Sequence, residues 1–283
     1  MRKIATLLTL FLTSSLMPGC STETPPVLAT GKPSQKQPRR YFRPPLDDGI
    51  GHYGVFPKGA RSVDDALFSF APYALDSLKP YFMKAGVSYP PREIVLIAIK
   101  DEKKMELWAR DQGKYTFIRE YTIKAASGMR GPKLKQGDRQ VPEGIYRISR
   151  LNPNSNYHLS MKVDYPNEFD QDHAYDDGRT DLGGDIFIHG KNVSAGCLAM
   201  GDAAIEELFV LAAHVGTPHI KVVIAPSDPR KSILDTTHPS LPEWTPELYA
   251  MITREIMAVT GSKPPSWTRH AQAQPHTATH YIR

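Results

Sequence analysis

The chain has 283 residues, of which 40% are hydrophobic and 23% are charged, and its formal net charge is +5 at pH 7. This length and composition fit a soluble globular body with one substantial core and additional tails. Lysine and arginine are spread along the chain without a basic, aromatic-interleaved stretch, which argues against a nucleic-acid-binding protein.

Residues 1–20 have the order of a secretory signal. Arg2 and Lys3 precede an apolar run from Ile4 to Leu12, which is too short for a transmembrane helix, since such a helix needs roughly 20 residues. Small and polar residues then lead to Cys20, and this arrangement resembles a bacterial lipoprotein processing site. We therefore expect export to the periplasm or cell envelope and a membrane anchor through lipidated Cys20. An ordinary signal cleaved elsewhere is the alternative.

Two segments lack the apolar spacing of a folded core. Residues 21–50 are rich in Thr, Pro, Ser, Gln and Lys and are predicted to form a flexible tether. Residues 262–283 are predicted to form a loose tail. Three histidines there could bind metal adventitiously, although a solvated tail is the simpler interpretation: His270, His276 and His280.

Residues 51–91 are predicted to form an N-terminal helical segment, because apolar side chains recur there at helical spacing. Ser62 with Asp65 has the spacing of a helix-capping box. Pro72 and Pro80 predict a division into several short helices, because proline lacks the amide hydrogen that a helix interior uses.

From residue 93 the pattern changes to strands, of which the first two predict a hairpin. The segments are "EIVLIAIK", "MELWA", "YTFIREYTIKA", "YHLSMKVDY", "GDIFIHG", "SAGCLAM" and "HIKVVIA". Residues 202–215 have the periodicity of an amphipathic helix, and "WTPELYAMITREIMAVTG" predicts another in a C-terminal extension, residues 227–261. The fold class that follows is a β-rich α+β domain over residues 92–226.

A histidine and a cysteine stand out in this pattern, His189 and Cys197, eight positions apart. A thiol is a useful nucleophile only as a thiolate, and a histidine in contact can take its proton. Gly190 and Gly196 permit tight turns, and the amides from Ser194 onward could donate to a developing oxyanion. Two adjacent strand ends joined by a short loop would bring the pair to one edge of the sheet. A buried cysteine beside a capping histidine is the alternative.

The second cysteine bears on this interpretation. If Cys20 carries a lipid, Cys197 is the only free thiol in an oxidising compartment, where lone thiols are uncommon unless they are used. A Cys20–Cys197 disulfide is the alternative.

The motif "IHG…SxGC" followed by an amphipathic helix resembles the L,D-transpeptidase catalytic domain family, the YkuD-like domain of bacterial cell-wall enzymes. Three further stretches are similar to family segments: "GPKLKQGDRQVPEGIYRI", "NSNYHLSMKVDYPN" and "GGDIFIHG". The resemblance runs from about Arg92 to Pro226. It implies a mixed β sheet or sandwich, one helix after the catalytic cysteine and accessory helices at both ends.

The resemblance also implies a chemistry. Cys197 would be the nucleophile and His189 its general base, while Gly190, Ser194 and Gly196 would shape the loop and the oxyanion site. The thiolate would attack the carbonyl of the L-centre of diaminopimelate in a peptidoglycan stem peptide and form a thioester. An amine, including one on an envelope protein, or water would then accept the acyl group, and no metal or cofactor is needed.

Three further residues are candidate substrate contacts, and two departures from the family pattern limit what the resemblance implies. Lys133, His158 and Lys162 are candidate contacts for substrate carboxylates, with solvated strand residues as the alternative. Commoner members have arginine or asparagine where this chain has Ala199, and a longer stretch than Lys191 to Ala195 between HG and GC. Both departures look like the YafK-like branch and leave the choice between amine and water open.

Other function classes compete with this interpretation. A hydrolase of the same fold and a non-catalytic peptidoglycan-binding lipoprotein both fit the motifs. A closed zinc site is disfavoured because it needs four ligands and the mature domain offers one cysteine. A papain-like protease is disfavoured because its histidine follows the cysteine by a long interval.

Overall fold

The computed structural model describes residues 59–263. The predicted signal, Cys20, the tether and the three tail histidines lie outside these residues. The helices are α1 (Val63–Ala85), α2 (Glu168–Asp176), α3 (Asp202–Val215) and α4 (Thr245–Thr260). The strands are β1 (Glu93–Ile99), β2 (Lys104–Arg110), β3 (Thr116–Thr122), β4 (Ala125–Ala126), β5 (Gly144–Asn152), β6 (Ser160–Val163), β7 (Phe187–His189), β8 (Leu198–Ala199) and β9 (Ile220–Ala225).

All nine strands belong to one mixed sheet, in the order β3-β2-β1-β9-β5-β6-β7-β8-β4. The predicted β1–β2 hairpin is antiparallel, whereas β1 runs parallel to β9 and β7 runs parallel to β8. The predicted β-rich α+β class is confirmed, with one sheet rather than a sandwich of two. Within residues 59–263, no helix combines the length and the apolarity needed to cross a membrane.

The central strand β1 is buried on both faces, which explains why its sequence is a continuous apolar run rather than an alternation. On one face, Leu96 shares a core with α1 and α3. On the other face, Val95 and Ile97 pack in a second core with Ile252 of α4. The sheet is therefore the middle of three layers.

Helix α1 is one continuous helix of 23 residues, so the predicted division at Pro72 and Pro80 is wrong. Each proline costs the helix about 3 kcal/mol. Burial of an apolar stripe that includes Leu78 and Phe82 offsets that cost, because both side chains are almost fully inaccessible. The predicted capping box is confirmed, with Ser62 as the N-cap residue.

The stretch between residues 143 and 176 differs most from the prediction. Strand β5 and helix α2 were not predicted, although Asn167 and Asp170 form a second capping box at the start of α2. The predicted strand "YHLSMKVDY" is reduced to Ser160–Val163, because His158 has a left-handed backbone (φ 77°) that interrupts an extended strand.

The carboxylate of Glu143 is fully buried, and helix α4 contacts the rest of the fold through it. Glu143 accepts hydrogen bonds from Lys100 Nζ at 2.8 Å, from the Gly131 amide at 2.9 Å and from the Tyr249 hydroxyl at 2.8 Å. Tyr249 belongs to α4, so the C-terminal helix supplies one of the donors that keep this charge satisfied.

Candidate active site

The pairing of β7 with β8 sets the relative positions of the histidine and the cysteine. His189 is the last residue of β7 and pairs with Ala199, and Cys197 immediately precedes β8. The backbone bends at Cys197, and the Cys197 Sγ lies 3.7 Å from the Asp185 carbonyl oxygen, beside the segment that leads into β7. The predicted meeting of two strand ends at one edge is wrong, because the strands are parallel. His189 ends β7, whereas Cys197 lies just before the start of β8.

The ring of His189 is held in one orientation and one tautomer. Its Nδ1 lies 2.6 Å from the Gly190 carbonyl oxygen. A carbonyl only accepts, so Nδ1 carries the hydrogen and Nε2 keeps its lone pair. Burial of the ring lowers the pKa of His189 below its usual value, and the hydrogen bond to Gly190 opposes this. The ring is therefore neutral at pH 7 and its Nε2 is a base.

The thiol of Cys197 is half-buried, with its Sγ 3.7 Å from the Asp185 carbonyl oxygen. Burial raises the pKa of the thiol, a hydrogen bond with the Phe187 backbone lowers it, the Asp185 carboxylate raises it and the Lys133 ammonium lowers it. The net pKa lies above the usual value, so the resting thiol is protonated. Within residues 59–263, no hydrogen bond joins Sγ to the imidazole of His189.

Two of the backbone amides next to the predicted catalytic residues are engaged in hydrogen bonds. The Gly190 amide donates to the Leu159 carbonyl at 3.1 Å, and the Gly196 amide donates to Ser127 Oγ at 2.6 Å. The Cys197 amide makes no hydrogen bond to any residue of the range 59–263. Of the predicted oxyanion donors, the Gly196 amide is thus engaged, whereas the amide of Cys197, in the same residue as the thiol, is available.

Gly190 is the point of closest approach in the loop. A Cβ atom at this position would lie 2.6 Å from the Tyr157 carbonyl oxygen and 2.7 Å from Asp202 Oδ1. Asp202 accepts from the Lys191 amide at 2.8 Å and pairs with Lys191 Nζ at 3.0 Å. The N-terminus of α3 therefore fixes the turn after His189, and only glycine fits there.

The three candidate contacts for substrate carboxylates differ in how deeply they are buried and in how they pair with acidic residues of the protein. Lys133 is buried and paired with Asp138, and His158 Nε2 lies 2.8 Å from Glu206 Oε1. Lys162 is more open, with its Nζ 2.8 Å from Oδ1 of the exposed Asp185. Lys162 is therefore the one of the three that a substrate reaches most easily, and all three roles stay predictions.

Sequence reasoning did not identify three residues that shape the site. The Tyr157 ring lies against the imidazole, Asp185 lies beside the thiol, and the Ser127 hydroxyl holds the nucleophile loop. Ser127 precedes Gly128 in a stretch that carries no chemical motif, so only the three-dimensional pairing of β4 with β8 identifies it. No cluster of three or more metal-ligating side chains occurs in the described part of the chain.

The range of the chain that holds this site is similar to known proteins. Residues 92–224 match the L,D-transpeptidase catalytic domain (YkuD) family. Over 132 residues the chain is 37% identical to the putative L,D-transpeptidase YafK of Escherichia coli K12, an alignment that covers 45% of this chain and 51% of YafK. The chain thus spans about half the length of the curated relatives it matches.

Solved structures give weaker matches. The cell shape determining protein Pgp2 of Campylobacter jejuni is 21% identical, with a TM-score of 0.41, covering 53% of this chain and 55% of Pgp2. L,D-transpeptidase 1 of Mycobacterium tuberculosis is 13% identical, with a TM-score of 0.28, covering 47% of this chain and 62% of that protein. Residues 92–224, which include the histidine–cysteine loop, therefore match the L,D-transpeptidase catalytic domain family.

Proposed function

We propose that this protein is a peptidoglycan-modifying cysteine acyl-transfer enzyme. It forms a thioester between Cys197 and the diaminopimelate of a stem peptide and passes the acyl group to an amine or to water. One observation carries the proposal: a neutral, buried imidazole with its Nε2 free as a base ends β7, and the paired strand β8 begins directly after the single described thiol. The family match supplies the substrate class.

In the proposed reaction, His189, Gly190 and Cys197 have separate roles. His189 Nε2 takes the proton of the Cys197 thiol as Sγ attacks the carbonyl carbon, while the Gly190 carbonyl holds the imidazolium through Nδ1–H. The carbonyl oxygen becomes an oxyanion beside the Cys197 amide. When the C–N bond breaks, His189 returns its proton to the leaving amine, and a thioester remains on Cys197.

A hydrolytic outcome is the second candidate. Ala199 is fully buried and pairs with Ala125 of β4, so this position near the thiol offers no polar side chain to an incoming amine. Water needs no such recognition, because His189 Nε2 can take its proton directly. The products therefore include a free carboxyl group whenever no amine is bound.

Export and lipidation form part of the same proposal, and they rest on residues 1–20 alone. A peptidoglycan substrate requires the protein to leave the cytoplasm, and a lipid on Cys20 would keep it at a membrane surface. Metabolic labelling with a radioactive fatty acid tests this: label is expected on the wild-type protein and is lost in Cys20→Ala. Equal labelling, or none in either, would remove the anchor from the proposal.

The enzymatic proposal is tested by mass spectrometry of diaminopimelate-containing muropeptides incubated with protein and an excess of a D-amino acid. The wild type is expected to release terminal D-alanine, with either an exchanged D-amino acid or a free carboxyl group. Cys197→Ala and His189→Gln should abolish both products. His214→Gln is the control for loss of an imidazole, because this exposed histidine contacts Tyr89 and not the loop that carries the thiol.

If the wild type leaves every muropeptide unchanged, the enzymatic proposal fails. A non-catalytic peptidoglycan-binding protein then takes its place, and co-sedimentation of the protein with purified peptidoglycan sacculi tests that alternative.

A further inference from the structure

Two serine hydroxyls hold the peptide groups on either side of the nucleophile. Ser127 Oγ accepts the Gly196 amide hydrogen at 2.6 Å and donates to the Arg139 carbonyl at 2.7 Å. Ser194 Oγ donates to the Cys197 carbonyl at 2.7 Å and accepts from the Ser127 amide at 3.2 Å. The two hydroxyl oxygens are themselves 3.0 Å apart.

These bonds fix the two peptide groups that flank the one most relevant to an oxyanion. The peptide group before Gly196 is held through its N–H, and the one after Cys197 is held through its C=O. Between them lies the peptide group whose N–H belongs to Cys197, which makes no hydrogen bond to residues 59–263. Because both neighbours are held, the direction of this N–H is set by the backbone torsions of Gly196 and Cys197.

The conformation of Gly196 agrees with this arrangement. Its φ is +111°, a value that L side chains rarely adopt, and a Cβ there would lie 3.4 Å from the Gln140 carbonyl oxygen. Glycine can adopt this conformation, which would be strained for other residues, and in it the Gly196 amide donates to Ser127. The segment that carries Ser127 and Gln140 therefore packs directly on the nucleophile loop.

We propose that Ser127 is a positioning residue that aims the Cys197 amide at the developing oxyanion by holding the Gly196 amide. This inference rests on the proposed acyl transfer at Cys197 and deepens it, because it separates two tasks within the loop. The Gly196 amide serves as an anchor, and the Cys197 amide serves as the oxyanion donor. Ser127 itself touches neither the substrate nor the thiol.

The test compares two reactions of the same thiol. With p-nitrophenyl acetate, Cys197 Sγ attacks the ester carbonyl, an oxyanion forms, and p-nitrophenolate leaves as the thioester is made. With iodoacetamide, Sγ displaces iodide at a saturated carbon and no oxyanion forms. Both reactions consume the proton-free thiolate, so their ratio reports the oxyanion donor alone and does not depend on peptidoglycan.

In Ser127→Ala, we expect acylation to fall about 10- to 100-fold, since small displacements of an oxyanion donor cost rates of that order. Alkylation should stay within about twofold, and Ser127→Thr, which keeps the hydroxyl, should acylate within about threefold of wild type. Ser69→Ala is the matched control, because its hydroxyl bonds a helix carbonyl at 2.8 Å far from the loop in sequence.

Unchanged acylation in Ser127→Ala would overturn the inference, and so would an equal loss of acylation and alkylation, which indicates a purely structural role. If circular dichroism shows that Ser127→Ala is unfolded, Ser127→Gly takes its place with the same two outcomes. A wild type that reacts with the ester but leaves muropeptides untouched would contradict the proposed substrate while leaving this test decisive.

Discussion

The phenol ring of Tyr157 lies against the imidazole of His189, with ring centroids 4.5 Å apart and ring planes inclined by 32°. Tyr157 is 44% exposed and His189 is 2% exposed, so the tyrosine is positioned to shield the base from solvent. Burial is the main reason that the pKa of His189 is lowered.

In Tyr157→Ala, the pKa of His189 should therefore rise, and the acidic limb of the pH–rate profile should move to higher pH. Titration of the imidazole by NMR measures this, and Tyr157→Phe should titrate like the wild type. An unchanged pKa in Tyr157→Ala would show that the ring contributes nothing to the burial.

The exposed carboxylate of Asp185 acts on the thiol. It raises the pKa of Cys197, after the larger effect of burial and against a hydrogen bond with the Phe187 backbone. Asp185→Asn should therefore lower the thiol pKa, the more so because Lys162 loses its partner at 2.8 Å. The pH dependence of iodoacetamide alkylation measures the thiol pKa. Asp181→Asn, an exposed aspartate nearby in sequence, is the control, and a raised thiol pKa in Asp185→Asn would contradict the assignment.

The turn after the base should tolerate no side chain. In Gly190→Ala, the new methyl group would meet the Tyr157 carbonyl oxygen at 2.6 Å and Asp202 Oδ1 at 2.7 Å. Overpacking of this kind costs about 1–3 kcal/mol of unfolding free energy. Gly184→Ala is the control, because a Cβ atom there would meet no atom within 4 Å. The φ of Gly184 also lies outside the range that L side chains rarely adopt. Urea denaturation measures both, and equal stabilities for the two variants would show that the loop relaxes freely.

Asp170 should make stability depend on pH. Burial raises the pKa of this carboxyl to about 7, against hydrogen bonds from Asn167 and Tyr146 that lower it. The folded pKa is above the unfolded value, so the folded state binds the proton more tightly. Its stabilising contribution is complete below about pH 4 and is lost as pH rises through about 7.

The stabilising contribution of Asp170 to the free energy of unfolding is on the order of 4 kcal/mol. Each tenfold difference in proton affinity between the folded and unfolded states corresponds to about 1.36 kcal/mol. Asp170→Asn removes the titration, so the stability difference between wild type and variant should change between pH 4 and pH 8, with the wild type losing more. Asp172→Asn, on the exposed side of the same helix, is the control for charge. A difference that is constant with pH would contradict the raised pKa.

The sequence predicted those parts of the fold where local pattern and packing agree. Helix α3 has the predicted bounds because its apolar stripe and its terminal glycine coincide. Pro72 and Pro80 were misleading, since the contacts that keep α1 whole come from residues far away in the chain. His189 and Cys197 could be chosen from their chemistry. Their placement on neighbouring strands follows from a parallel pairing between two very short strands, and no local pattern encodes it.

The hydrogen bond of Tyr249 to Glu143 extends the folded domain beyond the part that matches the family. The family match stops at residue 224, yet the hydroxyl that completes the shell of Glu143 comes from α4, which begins at Thr245. A protein shortened at residue 226 would keep a buried anion with one donor fewer and a bare apolar sheet face. A fusion or domain exchange made with this chain should therefore fold stably only when its junction lies beyond Thr260.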